Sequence, residues 1–469
     1  MYTLIGYTFG RLIKDVLKNE RAKRGIPIEV KKIGGNYFAY KSTTVWDKEK
    51  KKRKKVSVYI GRIIENGIDQ GSSRSIFEYG NARLVWEILE EVMPYLKRSF
   101  PDDYNEIMAM AAVRVIHHVP IRLMKSSWEK LYVSQKVDAS LSPNTVSEKL
   151  KRIGSDYTAQ AEFFMRLMKD SKYLIFDLSS IFSRSENLNM AEKGYNKDDL
   201  YLKQVNFLLM FSHDRKVPVM IKALPGSVRD VKAIKDVMDE YDLKGCTLIM
   251  DRGLASIELA RELNSNGIAF VFPLRRNSLM IDYSMKLELS FMYRDRGINC
   301  GRKKVEEGIF LYIYEDTKLR YEEETNFISM VENKEKRRDE LEQERIKFGK
   351  ISLLSNIDSD PKRVYGLWKE REEVEQAFDA MKNELENDKS YLSDYDAVRG
   401  YFFVSFISLY VYFRILEIIR EKRLTGKVSV NEVLFELSKV YTINSKKLST
   451  VPAGVIRLVN ELGLNGLIP

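Results

Sequence analysis

The sequence predicts an α/β protein in which a mixed β-sheet is flanked by helices. Between residues 173 and 274, three consecutive strand-like apolar runs are followed by a helix, a strand, a helix and a strand. This order is typical of a mixed sheet covered by helices. With 469 residues, 44% of them hydrophobic, the chain is long enough for two or three domains with their own cores. We therefore expect a folded, soluble protein.

The net charge indicates what kind of partner the protein binds, and the cysteine content indicates its cellular compartment. A formal net charge of +11 favours a polyanionic partner, with nucleic acid first and an anionic membrane surface second. Cys246 and Cys300 form no CxxC-type spacing, which argues against a disulfide framework or a structural zinc site. The first residues show no secretion signal. The expected location is the reducing cytoplasm, in association with the nucleoid.

Residues 1–75 are predicted to form a small β-containing module. Residues 37–46 and 56–63 alternate apolar and polar side chains, as half-buried strands do, and the run KEKKKRKK at 48–55 joins them. The run is either a solvated loop or a tip that contacts DNA phosphates without sequence preference. If the run contacts DNA, the cations that would bind the phosphates are Lys50, Lys51, Lys52, Arg53, Lys54 and Lys55.

Residues 76–168 show apolar side chains at three- and four-residue spacing and are predicted to be helical. Within them, Ser142 can cap a short helix that has Pro143 at its first position. This helix also carries three cations, Lys149, Lys151 and Arg152. It is a candidate DNA recognition helix, although similar sequences are common in helices that bind no DNA.

Two aspartates mark the ends of predicted strands. In the first part of the core, 169–275, Asp177 follows one apolar run and Asp251 follows another. Ligands of α/β sheets bind at the carboxyl ends of strands, so both are candidate site residues. Residues 276–362 are predicted to be a mostly β insertion, with residues 325–332 as one of its strands.

Residues 363–422 contain the predicted catalytic helix, which runs from Trp368 to Lys382. At about 100° per residue, Trp368, Arg371, Glu375 and Lys382 share one face. A solvated Arg371–Glu375 pair is the simpler interpretation of this pattern. The apolar run 401–413 is shorter than the ~20 residues of a membrane span, so we expect a buried helix and no membrane contact. Residues 423–469 form a helical tail.

Three carboxylates at one site would repel each other unless cations lie between them. Oxygen ligands suit two Mg²⁺ or Mn²⁺ ions, which could activate a water or a 3′-hydroxyl for attack on phosphorus. Asp177, Asp251 and Glu375 are therefore candidate catalytic residues and metal ligands. Arg371 and Lys382 could hold phosphate.

The chain resembles DDE transposases of the insertion-sequence group IS4, and most closely the IS1634-type branch. That group has Tyr, Arg, Glu and Lys on its catalytic helix at the spacings of Trp368, Arg371, Glu375 and Lys382 here. Further similar motifs are FDLSSIF around Asp177, GYNKD at 194–198 with Gln204, PGSVRD at 225–230 and MDRG at 250–253.

The resemblance implies an RNase H-like core interrupted by the β insertion, with Asp177, Asp251 and Glu375 holding the metals. It also implies cutting at terminal inverted repeats and joining of the 3′-hydroxyl to target double-stranded DNA, by a homodimer on the DNA. Trp368 replaces the usual Tyr and lacks the phenol that would contact phosphate. Two alternatives remain: a metal-dependent nuclease or resolvase that does not join DNA, and an inactive DNA-binding relic.

Overall fold

A computed structural model shows a chain that divides into two compact units. The first contains residues 1–77 and 442–447, and the second contains residues 78–441 and 448–469. The structure describes residues 17–18, 21, 27–33, 36–47, 52–64, 67–69, 76–183, 192–193, 203–227, 230–252, 256–384, 389–390, 392, 394–443 and 447–468.

The first unit is built on a four-stranded antiparallel sheet. Its strands, in both chain and spatial order, are β1 Ile28–Ile33, β2 Asn36–Asp47, β3 Lys52–Ile64 and β4 Gly67–Asp69. Ile28, Ala39 and Ile63 form its small buried core. Strands β2 and β3 pair in antiparallel order, and Lys52–Lys55, predicted to lie in the connecting loop, belong to β3 and pair with 44–47 of β2.

Three short strands form a second sheet, in which the strand of residues 441–443 lies between the other two. Their bounds are β5 Ile76–Glu78, β17 Tyr441–Ile443 and β18 Lys447–Leu448.

The second unit begins with the predicted helical region. Its helices are α1 Gly80–Ser99, α2 Tyr104–His117, α3 Met124–Trp128, α4 Pro143–Ser155 and α5 Tyr157–Met168. Short 3₁₀ turns lie at Ile121–Leu123 and Tyr132–Gln135. The apolar faces of these helices belong to the same continuous core as the large sheet that follows, because one set of buried side chains runs through both.

The large sheet is mixed, as predicted, and has eleven strands among the residues that the structure describes. Its first half contains β6 Tyr173–Ser183, β7 Glu192–Lys193, β8 Lys203–Ser212, β9 Val217–Pro225, β10 Thr247–Met250 and β11 Ala269–Pro273. Strand β6 is central, parallel to β10 on one side and antiparallel to β8 on the other. Helices α6 Asp230–Glu240 and α7 Ile257–Ser265 connect the strands around β10.

The segment predicted as an insertion extends this same sheet. It supplies β12 Leu289–Tyr293, β13 Arg296–Glu306, β14 Ile309–Asp316 and β15 Lys350–Ser355. These strands pair in antiparallel order, and β15 pairs directly with β11, so no gap separates them from the first half.

One strand prediction in this segment is wrong. Residues 325–332 lie in helix α8 Thr317–Glu332, which is followed by the short helix α9 Glu340–Arg345. The side chain of Asp316 accepts hydrogen bonds from the backbone N–H groups of Lys318 and Leu319, and so begins the helix directly at the end of β14. Only Phe327 is buried along α8, so the apolar alternation that suggested a strand lies mostly on a solvent-exposed helix.

The rest of the second unit is helical. Helix α10 Pro361–Lys369, helix α11 Glu372–Asp379 and a π-helical turn at Ala380–Glu384 lead to the short strand β16 Lys389–Ser390, which pairs with β6. Helices α12 Tyr395–Glu421, α13 Val430–Leu437 and α14 Ala453–Glu461 follow. By length and composition α12 could cross a membrane, but 72% of its apolar window is buried inside the protein, as expected of a core helix.

Candidate functional site

Asp177 and Asp251 occupy matching positions on neighbouring parallel strands. Phe176 of β6 pairs with Met250 of β10, and each aspartate is the next residue along its strand. Parallel strands lie about 4.8 Å apart, so matching residues on them lie side by side. The prediction that Asp177 ends its strand is wrong, because β6 continues to Ser183 through its pairing with β8. Asp177 instead lies where the shorter strand β10 ends.

The predicted continuous helix from Trp368 to Lys382 is interrupted. Helix α10 ends at Lys369, and α11 begins after Arg371, which is its N-cap residue. Acidic side chains fill the first turn of α11, where they are stabilised by the positive end of the helix dipole. The π-helical turn then changes the angle per residue before Lys382. The four side chains therefore do not share one regular helical face.

Arg371 joins two of the three candidate carboxylates. One guanidinium nitrogen donates to Asp251, and the other lies 3.1 Å from an oxygen of Glu375. The side chains of Asp251, Arg371 and Glu375 are 37%, 23% and 50% exposed, so the site opens to solvent and a large substrate could reach it. Helix α11 packs on β6 and β8, which places Glu375 on an element that contacts the strand of Asp177.

Trp368 lies in a different environment from the one expected. Its side chain is 8% exposed and belongs to a second core cluster with Tyr365, Tyr314 and Val364. Its Nε1 is buried and has no hydrogen-bond partner among the described residues. The geometry gives Trp368 a packing role beneath Arg371, whose guanidinium carbon is 6.0 Å from the ring centre. This burial argues against the predicted contact with DNA.

The remaining predicted DNA-binding residues that the structure describes belong to two other elements, the π-helical turn and strand β3. Lys382 is half-buried in the π-helical turn. Lys52, Arg53 and Lys55 are exposed on β3, and Lys54 lies on the same strand. Lys50 and Lys51 lie outside the described residues, as do residues 194–198 of the GYNKD motif.

Helix α4 does not present its cations to a partner. Ser142 caps the helix as predicted, but Lys149 pairs with Asp103 at 2.8 Å and with Glu106 at 3.1 Å. The Arg152 guanidinium also binds Asp103, and Lys151 lies 3.0 Å from Asp394. Because these charges are neutralised within the fold, the structure argues against a recognition helix here.

A polar cluster beside the carboxylate site was missed by the sequence analysis. His213, on the turn between β8 and β9, lies 2.9 Å from Glu373 and 3.4 Å from Glu370, and Lys216 lies 2.6 Å from Glu373. Candidate ligand atoms of His213, Glu370 and Glu373 all lie within 4.8 Å of one another, so this group could hold a metal ion. In the structure, the Lys216 ammonium already supplies a positive charge there.

Burial of the cluster does not neutralise Glu373. Burial raises the pKa of this carboxyl, but hydrogen bonds from His213 and Lys216 outweigh it and bring the pKa below its usual 4.5. The cluster therefore holds a charged link between the first turn of α11 and the β8–β9 turn. The signal in the sequence was weak, because His213 and Glu373 are 160 residues apart.

The donor set fits divalent metal ions of the magnesium type. Asp177, Asp251 and Glu375 offer only oxygen atoms, and they are solvent-accessible enough to leave room for water ligands. Neighbouring carboxylates need a positive charge between them, and Arg371 supplies one to Asp251 and Glu375. Divalent ions would meet the same need.

One of the comparisons with known proteins identifies a family. The family model described as the transposase DDE domain matches residues 171–411, just over half of the chain. A comparison with curated proteins finds no significant match. Among solved structures, the chain is similar to the piggyBac transposase in a cryo-EM synaptic complex with hairpin DNA, at 11% identity and a TM-score of 0.39. The alignment covers 83% of this chain and 84% of that one, but a TM-score this low does not establish a shared fold.

Proposed function

Since this chain belongs to the transposase DDE domain family, we propose that it cuts DNA at the terminal inverted repeats of an insertion sequence and joins the freed 3′-hydroxyl ends to target DNA. The finer placement, in the IS4 group and its IS1634-type branch, is part of the same proposal. It rests on the spacing of Arg371, Glu375 and Lys382.

One observation carries the proposal: Arg371 joins Asp251 of the sheet to Glu375 of α11, at the point where Asp177 lies in register beside Asp251. We infer from this pairing that the three carboxylates act together at one end of β10. A structural ion pair needs one acid and one base, whereas this arrangement supplies the acids that bind metal in phosphoryl transfer.

In this mechanism, Asp177, Asp251 and Glu375 would hold two Mg²⁺ or Mn²⁺ ions. When bound, the ions would supply an activated water or 3′-hydroxyl and neutralise charge on the scissile phosphate. Arg371 can turn from the carboxylates towards a phosphate, because its planar guanidinium binds both groups in two-pronged geometry. Lys382 would add a point charge on the strand that is cut.

Double-stranded DNA is the proposed partner, in both the inverted repeats and the target. The exposed cations Lys52, Arg53 and Lys55 would contact phosphates without reading sequence. Joining two transposon ends to one target requires two active sites, so a homodimer on the DNA is part of the proposal.

The decisive experiment is a cleavage and joining assay with the full-length protein. The substrate is a labelled duplex carrying the inverted repeats that flank its gene, with Mg²⁺ or Mn²⁺ and with EDTA as the metal-free control. We expect metal-dependent cuts at the repeat boundary and joined products. Asp251→Asn and Glu375→Gln should each abolish cutting but retain binding, because they remove metal ligands and leave the DNA-binding cations in place.

Three results would contradict the proposal or a part of it. Cutting that persists in Glu375→Gln removes this residue from the site. Cuts without joined products favour a nuclease, and repeat-specific binding without any cutting favours an inactive relic.

A further inference from the structure

The net positive charge of the chain is concentrated at its N-terminal end. Residues 1–77 contain 18 Lys and Arg against seven Asp and Glu, a net charge of +11, which equals the net charge of the whole chain. Residues 78–469 therefore carry equal numbers of positively and negatively charged side chains. Long-range attraction to DNA phosphates is a property of the first unit and not of the unit that carries the carboxylate site.

The four-stranded sheet of the first unit has one buried and one open face. Alternation along β2 and β3 places Tyr40, Trp46 and Tyr59 on the face opposite the buried Ala39. Trp46 is 57% exposed and Tyr59 is 50% exposed. Large aromatic rings on a solvated sheet face are costly unless something covers them in use.

The rings form a connected set. Tyr59 lies 5.5 Å from Tyr40 and 6.1 Å from Phe38, measured between ring centres, and the Lys31 ammonium lies 4.5 Å above the Tyr40 ring. Pairing between β2 and β3 sets Trp46 opposite Arg53 at the other end of the same face. We call Phe38, Tyr40, Trp46 and Tyr59 the aromatic face.

Cations border the aromatic face along its length. They are Lys31, Arg53, Lys55 and Arg62. Two of them have polar partners that DNA would have to compete with: Lys55 lies 2.9 Å from Glu29, and Arg62 donates to Asn36 at 2.6 Å. The Lys55 pair lowers the pKa of Glu29, and because the Lys55 side chain is 59% exposed, water and DNA phosphate can compete for its ammonium group.

We propose that the aromatic face binds unpaired nucleotides of the DNA substrate, with bases stacked on its rings and phosphates held by the bordering cations. Bases within a duplex present only their edges, so an aromatic ring can stack only on a base that has left the helix. Interleaved rings and cations are the features that bind single strands without sequence preference. The inference rests on DNA being the substrate, as proposed above.

The test measures binding by the full-length protein without metal, so that no cutting occurs. The probes are a fluorescent thymidine oligonucleotide of about 16 nucleotides, which cannot pair with itself, and a duplex of equal length. We expect Tyr59→Leu to weaken single-strand binding about 10-fold and to change duplex binding by less than about twofold. Tyr59→Phe keeps the ring and should bind like the native protein.

Trp46 provides a second measurement, because it is far more exposed than Trp128 or Trp368, at 4% and 8%. Binding of the single strand should quench its emission, and Trp46→Phe should lose the quenching but keep the affinity. Tyr321→Leu is the matched control, since Tyr321 is 72% exposed on α8 of the second unit. It should change neither signal.

Unchanged single-strand affinity in a folded Tyr59→Leu protein would overturn the inference, and so would an equal loss on duplex and single strand. Circular dichroism of each variant separates these results from misfolding. Neither outcome affects the cleavage assay of the carboxylate site, and failure of that assay would leave the stacking result in place.

Discussion

At the scale of single residues, Arg371 stands between two carboxylates that the chain supplies from distant places. Asp251 precedes it by 120 residues and Glu375 follows it by four. A guanidinium there stabilises both negative charges in the absence of metal. It also opposes the binding of any other cation. Arg371 and the divalent metal proposed above would therefore compete for the same electrostatic position.

This competition gives a prediction. Arg371→Gln should bind Mn²⁺ several-fold more tightly than the native protein in the absence of DNA, because a positive charge beside the ligands is removed. The same substitution should slow cleavage at least 10-fold, because a phosphate contact is lost. Calorimetric titration and the cleavage assay measure the two effects.

Arg294→Gln is the control for Arg371→Gln. Arg294 pairs with Glu372 at 3.4 Å, one residue from Arg371 but outside the carboxylate site. Arg294→Gln should change neither the Mn²⁺ affinity nor the cleavage rate appreciably. Equal metal affinity in Arg371→Gln and the native protein would contradict the competition.

The two cysteines give a prediction about reactivity. Burial raises the pKa of the Cys300 thiol to about 11, and it also raises the pKa of the less buried Cys246 thiol. The reactive thiolate of Cys300 is therefore only about one part in a thousand at pH 8. Iodoacetamide should modify Cys300 only after unfolding in urea, as mass spectrometry can show. Rapid modification of Cys300 in the native protein would contradict the burial of β13.

At the scale of elements, the crossing of α4 and α12 fixes the helical region on the sheet. Gly154 and Gly400 lie where the two helices touch, and a Cβ at Gly400 would fall far inside contact distance of the Leu150 backbone oxygen. Only a backbone without side chains allows this approach. Since α12 also packs on β9 and α2, the crossing holds three parts of the core together.

We predict that Gly400→Ala lowers the free energy of unfolding by several kcal/mol, because a backbone contact cannot give way as a flexible side chain does. Urea unfolding followed by circular dichroism measures this. Gly366→Ala is the matched control, as a Cβ at Gly366 in α10 meets nothing within 4 Å. It should be neutral or stabilising by about 0.5–1 kcal/mol. Equal stability of both variants would mean that the helices do not cross this closely.

Elements with a clear pattern of apolar residues were predictable from the sequence. Elements that depend on contacts between distant residues were not. Strands β6, β8, β9, β10 and β11 were predicted because each is a short apolar run between turns. The site residues Asp177 and Asp251 followed from these strands. The interruption before α11 was not predictable, because residues 369–372 contain no glycine or proline to mark the end of a helix. The burial of Trp368 depends on aromatic residues of β12–β14, and the helix over 325–332 depends on a cap at Asp316.

At the scale of the whole molecule, the excess positive charge and the candidate catalytic carboxylates lie in different units. The first unit holds the excess positive charge, and the second holds the three carboxylates. DNA affinity and metal-dependent cutting should therefore respond to separate sets of substitutions.

We predict that changing Lys52, Arg53 and Lys55 to Gln weakens duplex binding and flattens its salt dependence. Each lost phosphate contact reduces the slope of log K against log salt by about 0.9, so the triple change reduces it by at most about 3. Fluorescence anisotropy at several salt concentrations measures the slope. The control removes Lys318, Lys336 and Arg337, three exposed cations of the second unit. If the slope is unchanged when Lys52, Arg53 and Lys55 are replaced, the basic segment 48–55 serves solubility and not DNA binding.

The direct pairing of β11 with β15 has a consequence for synthesis on the ribosome. Val271 finds its partner Ser355 only after 84 further residues have been made. Until then the buried strand β11 has an open edge, which can pair with other chains. Nascent chains halted near residue 340 should therefore aggregate, whereas chains halted after residue 430 should stay in the soluble fraction on centrifugation. A gene truncated between the codons for β11 and β15 would for the same reason yield an insoluble product.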